Sequence, residues 1–242
     1  MNKGLFLLLI VVITTSFYHI VKAFPEGILV EDYQFKENYT ILTNQYIKEL
    51  VFLPEASFHE DDAITMIENI GKINENILQL ALQESIHVKL FTGPLTNQRG
   101  LGKLKNSKPR GYENNQAYWE SVPGMSTNRM VYAKIGHSEF GKGHGSVSLE
   151  LHEFAHAIDR YVFHYVRSNP VFINIWKQEA DALFPFQDYF IRFPEEYFAE
   201  TFAMYYYDSS TKQLLEQKAP LTFKFILSLE KNAEETVKVL NN

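Results

Sequence analysis

His152, Glu153 and His156 stand in an H-E-x-x-H pattern inside Leu151 to Ile158, a stretch that reads as helix. Residues four apart on a helix lie one turn apart on the same face, so the two imidazoles can each aim a nitrogen at one metal ion. Imidazole nitrogen suits zinc, and a catalytic zinc takes three protein ligands and leaves one position for water. The chemistry this assembles is amide hydrolysis, with Glu153 taking the proton of an activated water. Any helix can carry two histidines and a glutamate by chance. Here the surrounding Leu151, Phe154, Ala155, Ala157 and Ile158 are all uncharged, so the helix is expected to be buried, where unpartnered imidazoles are costly. That favours the metal site.

Two histidines do not hold a catalytic zinc, and a third donor must come from elsewhere. One large class of zinc peptidases supplies a third histidine six residues after the second, but that position is Val162. The other arrangement takes a glutamate from a later helix, and Phe193-Pro194-Glu195-Glu196-Tyr197-Phe198-Ala199-Glu200 offers one, with Pro194 suited to a helix start. Glu195 at that start reads as a partner of the helix dipole. Glu196 and Glu200, one turn apart among aromatic residues, need a compensating partner such as a metal or a ligating histidine. The pattern alone does not choose between them.

The elements that position these groups follow from periodicity. Ile47 to Leu53 reads as a strand closed by Pro54. A long helix follows the acidic cluster Glu60, Asp61 and Asp62, with Ala63, Ile67, Ile70, Ile73, Ile77 and Ala81 as its buried stripe. Ile86 to Phe91 and Met130 to Ile135 read as strands. The latter leads through the glycine-rich stretch Gly136 to Gly145 into the motif helix, so it reads equally as the edge expected to hold an extended peptide and as an ordinary structural strand. Between Thr92 and Tyr112 five basic residues stand without an acid, which reads as a solvated segment able to rim a cleft. Beyond the motif, three helices are expected: Pro170 to Leu183, Glu195 to Tyr207 and Leu221 to Leu240. The fold class is therefore α+β and mostly helical, with a small sheet in an N-terminal lobe (24–147) and the motif in a helical C-terminal lobe (148–242).

Met1-Asn2-Lys3-Gly4, an apolar run from Leu5 to Ile13 and the exit Val21-Lys22-Ala23 form a signal-peptide pattern, residues 1–23, with cleavage after Ala23. The run is shorter than the ~20 residues needed to span a bilayer, so no stable membrane anchor is expected after cleavage and the mature protein is expected to be extracellular. The leader holds Lys3 and Lys22 of the 23 basic residues and none of the 29 acids, leaving a mature charge of about −8. Nucleic-acid binding is not expected of such a chain. The absence of cysteine excludes disulfides, a thiol nucleophile and thiolate ligands. At 45% hydrophobic and 14% aromatic residues the composition is globular, and 24–242 reads as one domain.

Five stretches together are far more specific than the zinc motif: Trp119-Glu120-Ser121-Val122-Pro123-Gly124, Gly141-Lys142-Gly143-His144, Leu149-Glu150-Leu151-His152-Glu153, Ala155-His156-Ala157-Ile158-Asp159 and Pro194-Glu195-Glu196-Tyr197-Phe198-Ala199-Glu200. In these the chain resembles the secreted Pro-Pro endopeptidases and, more distantly, the catalytic domain of anthrax lethal factor. The resemblance implies a zincin-like metallopeptidase domain binding one zinc per chain through His152, His156 and Glu196, with Glu153 as the base. It implies that Tyr189, seven residues before Glu196, faces the oxyanion of the tetrahedral intermediate. Glu200 then becomes the acceptor that orients a ligating histidine. Asp159 shares the face of the two histidines and could do likewise; His144 receives no role.

The family's groove carries a lysine and a tryptophan two residues apart, and Arg110 and Tyr112 occupy those positions here. The resemblance thus implies a substrate groove in which Arg110 pairs with Glu195 and Tyr112 stacks on a proline ring. The function expected is a secreted zinc endopeptidase cutting proline-containing, and in particular Pro-Pro, segments of extracellular or surface proteins. The alternatives are a toxin-like peptidase acting on host proteins and a non-catalytic zinc-containing binding module. Structural zinc sites are usually closed by four ligands, which argues against the last.

Overall fold

The computed structural model describes residues 26–109 and 117–241. The leader at 1–23 and the groove positions Arg110 and Tyr112 fall outside these residues. Within them the architecture is mostly helical around one small sheet, as the sequence pattern implies. Five strands, β1 (Ile28–Leu29), β2 (Val51–Leu53), β3 (His87–Phe91), β4 (Gly124–Thr127) and β5 (Met130–Lys134), are ordered β1-β2-β3-β5-β4. The strands β2, β3 and β5 run parallel, while β1 and β4 flank them antiparallel.

Among the described residues three α-helices lie before the motif: α1 (Gln45–Leu50), α2 (Glu60–Gly71) and α3 (Glu75–Gln83). Two sequence expectations change here. Ile47 to Leu53 is a helix passing directly into β2, because the Asn44 side chain accepts from the Tyr46 and Ile47 amides and caps α1. The long helix expected from Glu60 is broken in two at Lys72 to Asn74. Gly71 ends α2, and Asn74 caps α3 by accepting from the Asn76 amide at 3.0 Å. The apolar stripe survives the break, and Ala63, Ile67, Ile70, Ile73, Ile77 and Ala81 are all buried. Burial of that stripe, more than helical continuity, is what the pattern encoded.

The motif helix is α4 (Leu149–Tyr161), and five helices follow where three were expected: α5 (Pro170–Leu183), α6 (Asp188–Arg192), α7 (Pro194–Tyr207), α8 (Ser209–Lys218) and α9 (Pro220–Leu240). The additional ones are α6, a five-residue turn, and α8, started by a capping box between Asp208 and Thr211. The helix α7 runs against α4 and is buried on every side from Glu196 to Tyr206.

The N-terminal turn of α4 is fixed by a buried polar knot. Glu150 Oε1 accepts from Asn69 Nδ2 on α2 and from Ser138 Oγ, each at 2.7 Å. Burial raises the Glu150 carboxyl above its ordinary value, opposed by those two donors. Among the described residues no helix is long and apolar enough to cross a membrane.

Candidate metal and active site

Helix α4 presents His152 and His156 to α7 and Glu153 beside them to β4, and Pro194 at the start of α7 sets the phase that brings Glu196 and Glu200 to meet the histidines. Glu196 Oε2 lies 3.2 Å from His152 Nε2 and 3.2 Å from His156 Nε2. Glu200 stands behind His152: its Oε2 accepts from His152 Nδ1 at 3.1 Å, and its Oε1 accepts from the Val147 amide at 3.0 Å. The ambiguity between the two glutamates is thereby resolved by position. Glu196 faces both imidazoles, and Glu200 faces the far nitrogen of one.

The ligand atoms of His152, His156 and Glu196 all lie within 4.8 Å of one another. Nitrogen and oxygen donors held about 2.0–2.1 Å from zinc at tetrahedral angles stand about 3.3–3.4 Å apart, close to the 3.2 Å separations here. The charges fit as well. Burial alone would lower the His152 imidazole, but Glu196 and Glu200 outweigh it and hold it at about 10. Glu196 is pulled well below the usual carboxylate range by His152 and His156, against its own burial. A buried group that so favours positive charge at its centre suits a divalent cation.

Glu153 is the neighbour of this group. Burial raises its carboxyl above the ordinary value, while His156 and His152 pull it down and the Ser126 backbone amide on β4 favours its charged form. Gly124, also on β4, packs directly on it: a Cβ there would stand 3.0 Å from Glu153 Cγ and 2.6 Å from Leu149 Cδ1. Gly124 is a site residue to which the sequence reading gave no role beyond its place in the stretch Trp119 to Gly124. Its signal was Asn128, which takes a left-handed φ of 53° in the two-residue connection from β4 to β5 and marks a hairpin.

The edge expected at Met130 to Ile135 is corrected by the same hairpin. The strand β5 is enclosed between β3 and β4, so among the described strands β4 is the edge on this side of the sheet. Gly124, Met125 and Ser126 border a cavity of about 640 Å³ that also meets His152, Glu153, His156, Glu196, Tyr189 and Glu195. Pro109, in the basic segment, and Trp119, just before β4, border it too. That segment is only partly solvated, since Leu95, Thr96 and Leu101 are buried. Tyr189 on α6 sits edge-on to Phe190 and Phe193 with 36% of its surface exposed, and it borders the cavity.

Two residues without a settled role now have one. Asp159 is buried and turned from the histidines to Arg167, whose amide donates to Oδ1 at 3.2 Å and whose Nε donates to Oδ2 at 2.6 Å. It anchors the chain after α4. His144 Nε2 donates to the His137 carbonyl at 2.7 Å, and its Nδ1 accepts from the Ser146 amide, bracing the glycine-rich loop. Burial lowers the His144 imidazole, which keeps it neutral in that role.

Comparison with known proteins agrees with this geometry. The family described as "Anthrax toxin lethal factor, N- and C-terminal domain" matches residues 36–229. A Pro-Pro endopeptidase of Paenibacillus alvei is 38% identical over 186 residues, covering 77% of this chain and 85% of the relative. A Pro-Pro endopeptidase of Clostridioides difficile is 34% identical over 185 residues, covering 76% and 83%. The solved structure of the Paenibacillus alvei enzyme PPEP-2 superposes with a TM-score of 0.73, covering 76% of this chain and all of that one. The chain belongs to the Pro-Pro endopeptidases, within the lethal factor family.

Proposed function

We propose that this protein is an exported, zinc-dependent endopeptidase that cuts between prolines in extended segments of extracellular or surface proteins. The observation that carries the reading is the convergence of His152, His156 and Glu196 on one point beside Glu153 at the floor of a groove. The leader pattern at 1–23 supports export, and the names of the relatives support the Pro-Pro bond.

His152, His156 and Glu196 would hold the zinc, and Glu200 fixes the His152 ring with its proton on Nδ1, leaving Nε2 free to ligate. Bound zinc supplies a Lewis acid for the scissile carbonyl and lowers the pKa of water. Glu153 accepts the proton of the attacking water and hands it to the departing ring nitrogen of the second proline. A carboxyl raised by burial is a stronger proton acceptor than one at the surface. The Tyr189 phenol donates to the oxygen that gains charge as the carbonyl carbon becomes tetrahedral. The edge strand β4 offers backbone donors and acceptors that keep the peptide extended. Arg110, Tyr112 and Glu195 complete the groove in this reading.

The test is to incubate the mature protein, loaded with zinc, with a peptide library containing Pro-Pro and to read the cut sites by mass spectrometry. Cuts between prolines are expected. A zinc-loaded protein that cuts none of these peptides would overturn the reading.

A further inference from the structure

Arg160 lies one helical turn beyond His156 on the same face of α4, and its side chain forms part of the wall of the active-site cavity. Two arginines border that cavity, and they differ in one respect. Arg167 is neutralised by the buried carboxylate of Asp159, which it grips through its amide and its guanidinium. Arg160 has no hydrogen bond or ion pair to any of the described residues and is half-buried. The three acids of the cavity are not paired with it: Glu196 faces the two histidines, Glu153 lies against Gly124 and the Ser126 amide, and Glu195 makes no ion pair with Arg160.

A half-buried guanidinium with no counter-charge among the described residues keeps its donors available to a ligand. Its planar fork of donors matches a carboxylate in two-point contact. The position fixes how far from the cut such a carboxylate would sit. One turn of helix moves about 6 Å from His156, and an extended peptide advances about 3.3 Å per residue, so the contact falls within about four residues of the scissile bond.

We propose that Arg160 is a specificity-determining residue of the groove, binding an aspartate or glutamate side chain of the peptide within four residues of the cut. The inference rests on the endopeptidase reading above and adds to it a charge preference. Substrates of this protein then carry an acid beside the proline segment, and replacing that acid with its amide leaves the guanidinium unpaired again.

The test uses the mature zinc-loaded enzyme and a Pro-Pro peptide scanned with Glu, Gln and Lys at each of the four positions on either side of the cut. At one position the Glu peptide is expected to exceed the Gln peptide in kcat/KM by about 10-fold at low salt, with the advantage shrinking as ionic strength rises. In Arg160→Gln the ratio of Glu to Gln peptide is expected to fall to about 1, and in Arg160→Glu the Lys peptide should become the favoured one. Equal rates for Glu and Gln peptides at every position in the wild type would overturn the proposal, with no variant needed. A preference for Glu that persists in Arg160→Gln would overturn it as well. Failure to cut any Pro-Pro peptide is a different result and bears on the endopeptidase reading instead.

Discussion

Glu200 holds His152 from behind, accepting from Nδ1 at 3.1 Å while the Val147 amide holds the other carboxylate oxygen at 3.0 Å. The carboxylate thereby ties α7 to the loop entering α4 and sets which nitrogen of His152 carries the proton. Glu200→Ala is expected to weaken zinc binding by about 10- to 100-fold, measured by competition with a chromogenic chelator. Glu200→Gln, which keeps an acceptor oxygen, is expected to lose less. Unchanged zinc affinity in the alanine variant would place the orienting role elsewhere.

Tyr189 borders the cavity from α6, and only its hydroxyl is asked to take part in the reaction. Tyr189→Phe keeps the ring packing on Phe190 and Phe193 and removes the donor. Its kcat is expected to fall by about 10²–10³, with KM nearly unchanged because the donor acts on charge present only in the transition state. Steady-state kinetics on a Pro-Pro peptide check this, and a wild-type kcat would remove Tyr189 from the mechanism.

Gly124 sets the distance between β4 and Glu153. In Gly124→Ala the new methyl meets Leu149 Cδ1 at 2.6 Å and Glu153 Cγ at 3.0 Å, so strand or carboxylate must move. A loss of about 1–3 kcal/mol in denaturant unfolding is expected from the overpacking. Because a displacement of about 1 Å at a reacting group can cost about 10²-fold, kcat is expected to suffer more than stability does. A variant with normal kcat would show that the strand retreats freely.

Asp208 caps α8, its Oδ1 accepting from the Thr211 amide at 2.8 Å. Asp208→Ala is expected to cost about 1 kcal/mol at neutral pH. The Thr211 amide, with smaller contributions from nearby hydroxyls, holds the carboxyl below its ordinary value, against slight burial. A depressed folded-state value means the added stability is complete above the unfolded-state value, about 3.9, and is lost as pH falls through the folded one. Urea unfolding at pH 7 and below pH 4 should therefore show the gap between wild type and variant narrowing with acid. A gap independent of pH would mean the cap does not depend on the charge.

The chemistry was legible in the sequence because it rests on local spacing: His152, Glu153 and His156 share one helix, and Glu196 and Glu200 share another. The choice between the two glutamates was not legible, since it depends on the phase at which α7 meets α4. The strands β3 and β5 could be read from apolar runs, whereas β4, Gly-Met-Ser-Thr, has almost no apolar content and exists through its pairing with β5. The burial of the Ala63 to Ala81 stripe was correct although its helix is two. A periodic stripe reports which face is covered, and caps such as Asn44 and Asn74 decide where helices begin. Asp159 shows the converse, because its turn of helix matched the histidines and its partner, Arg167, comes from the segment after α4.

The most direct measurement compares wild type with Glu153→Gln, recording bound zinc and Pro-Pro peptide cleavage on the same preparations. The glutamine keeps the shape beside Gly124 and leaves His152, His156 and Glu196 intact while removing the proton acceptor. One zinc per chain in both proteins, with cleavage in the wild type and a loss of about 10²-fold or more in the variant, is the predicted result. Cleavage by zinc-loaded Glu153→Gln at the wild-type rate would contradict the account.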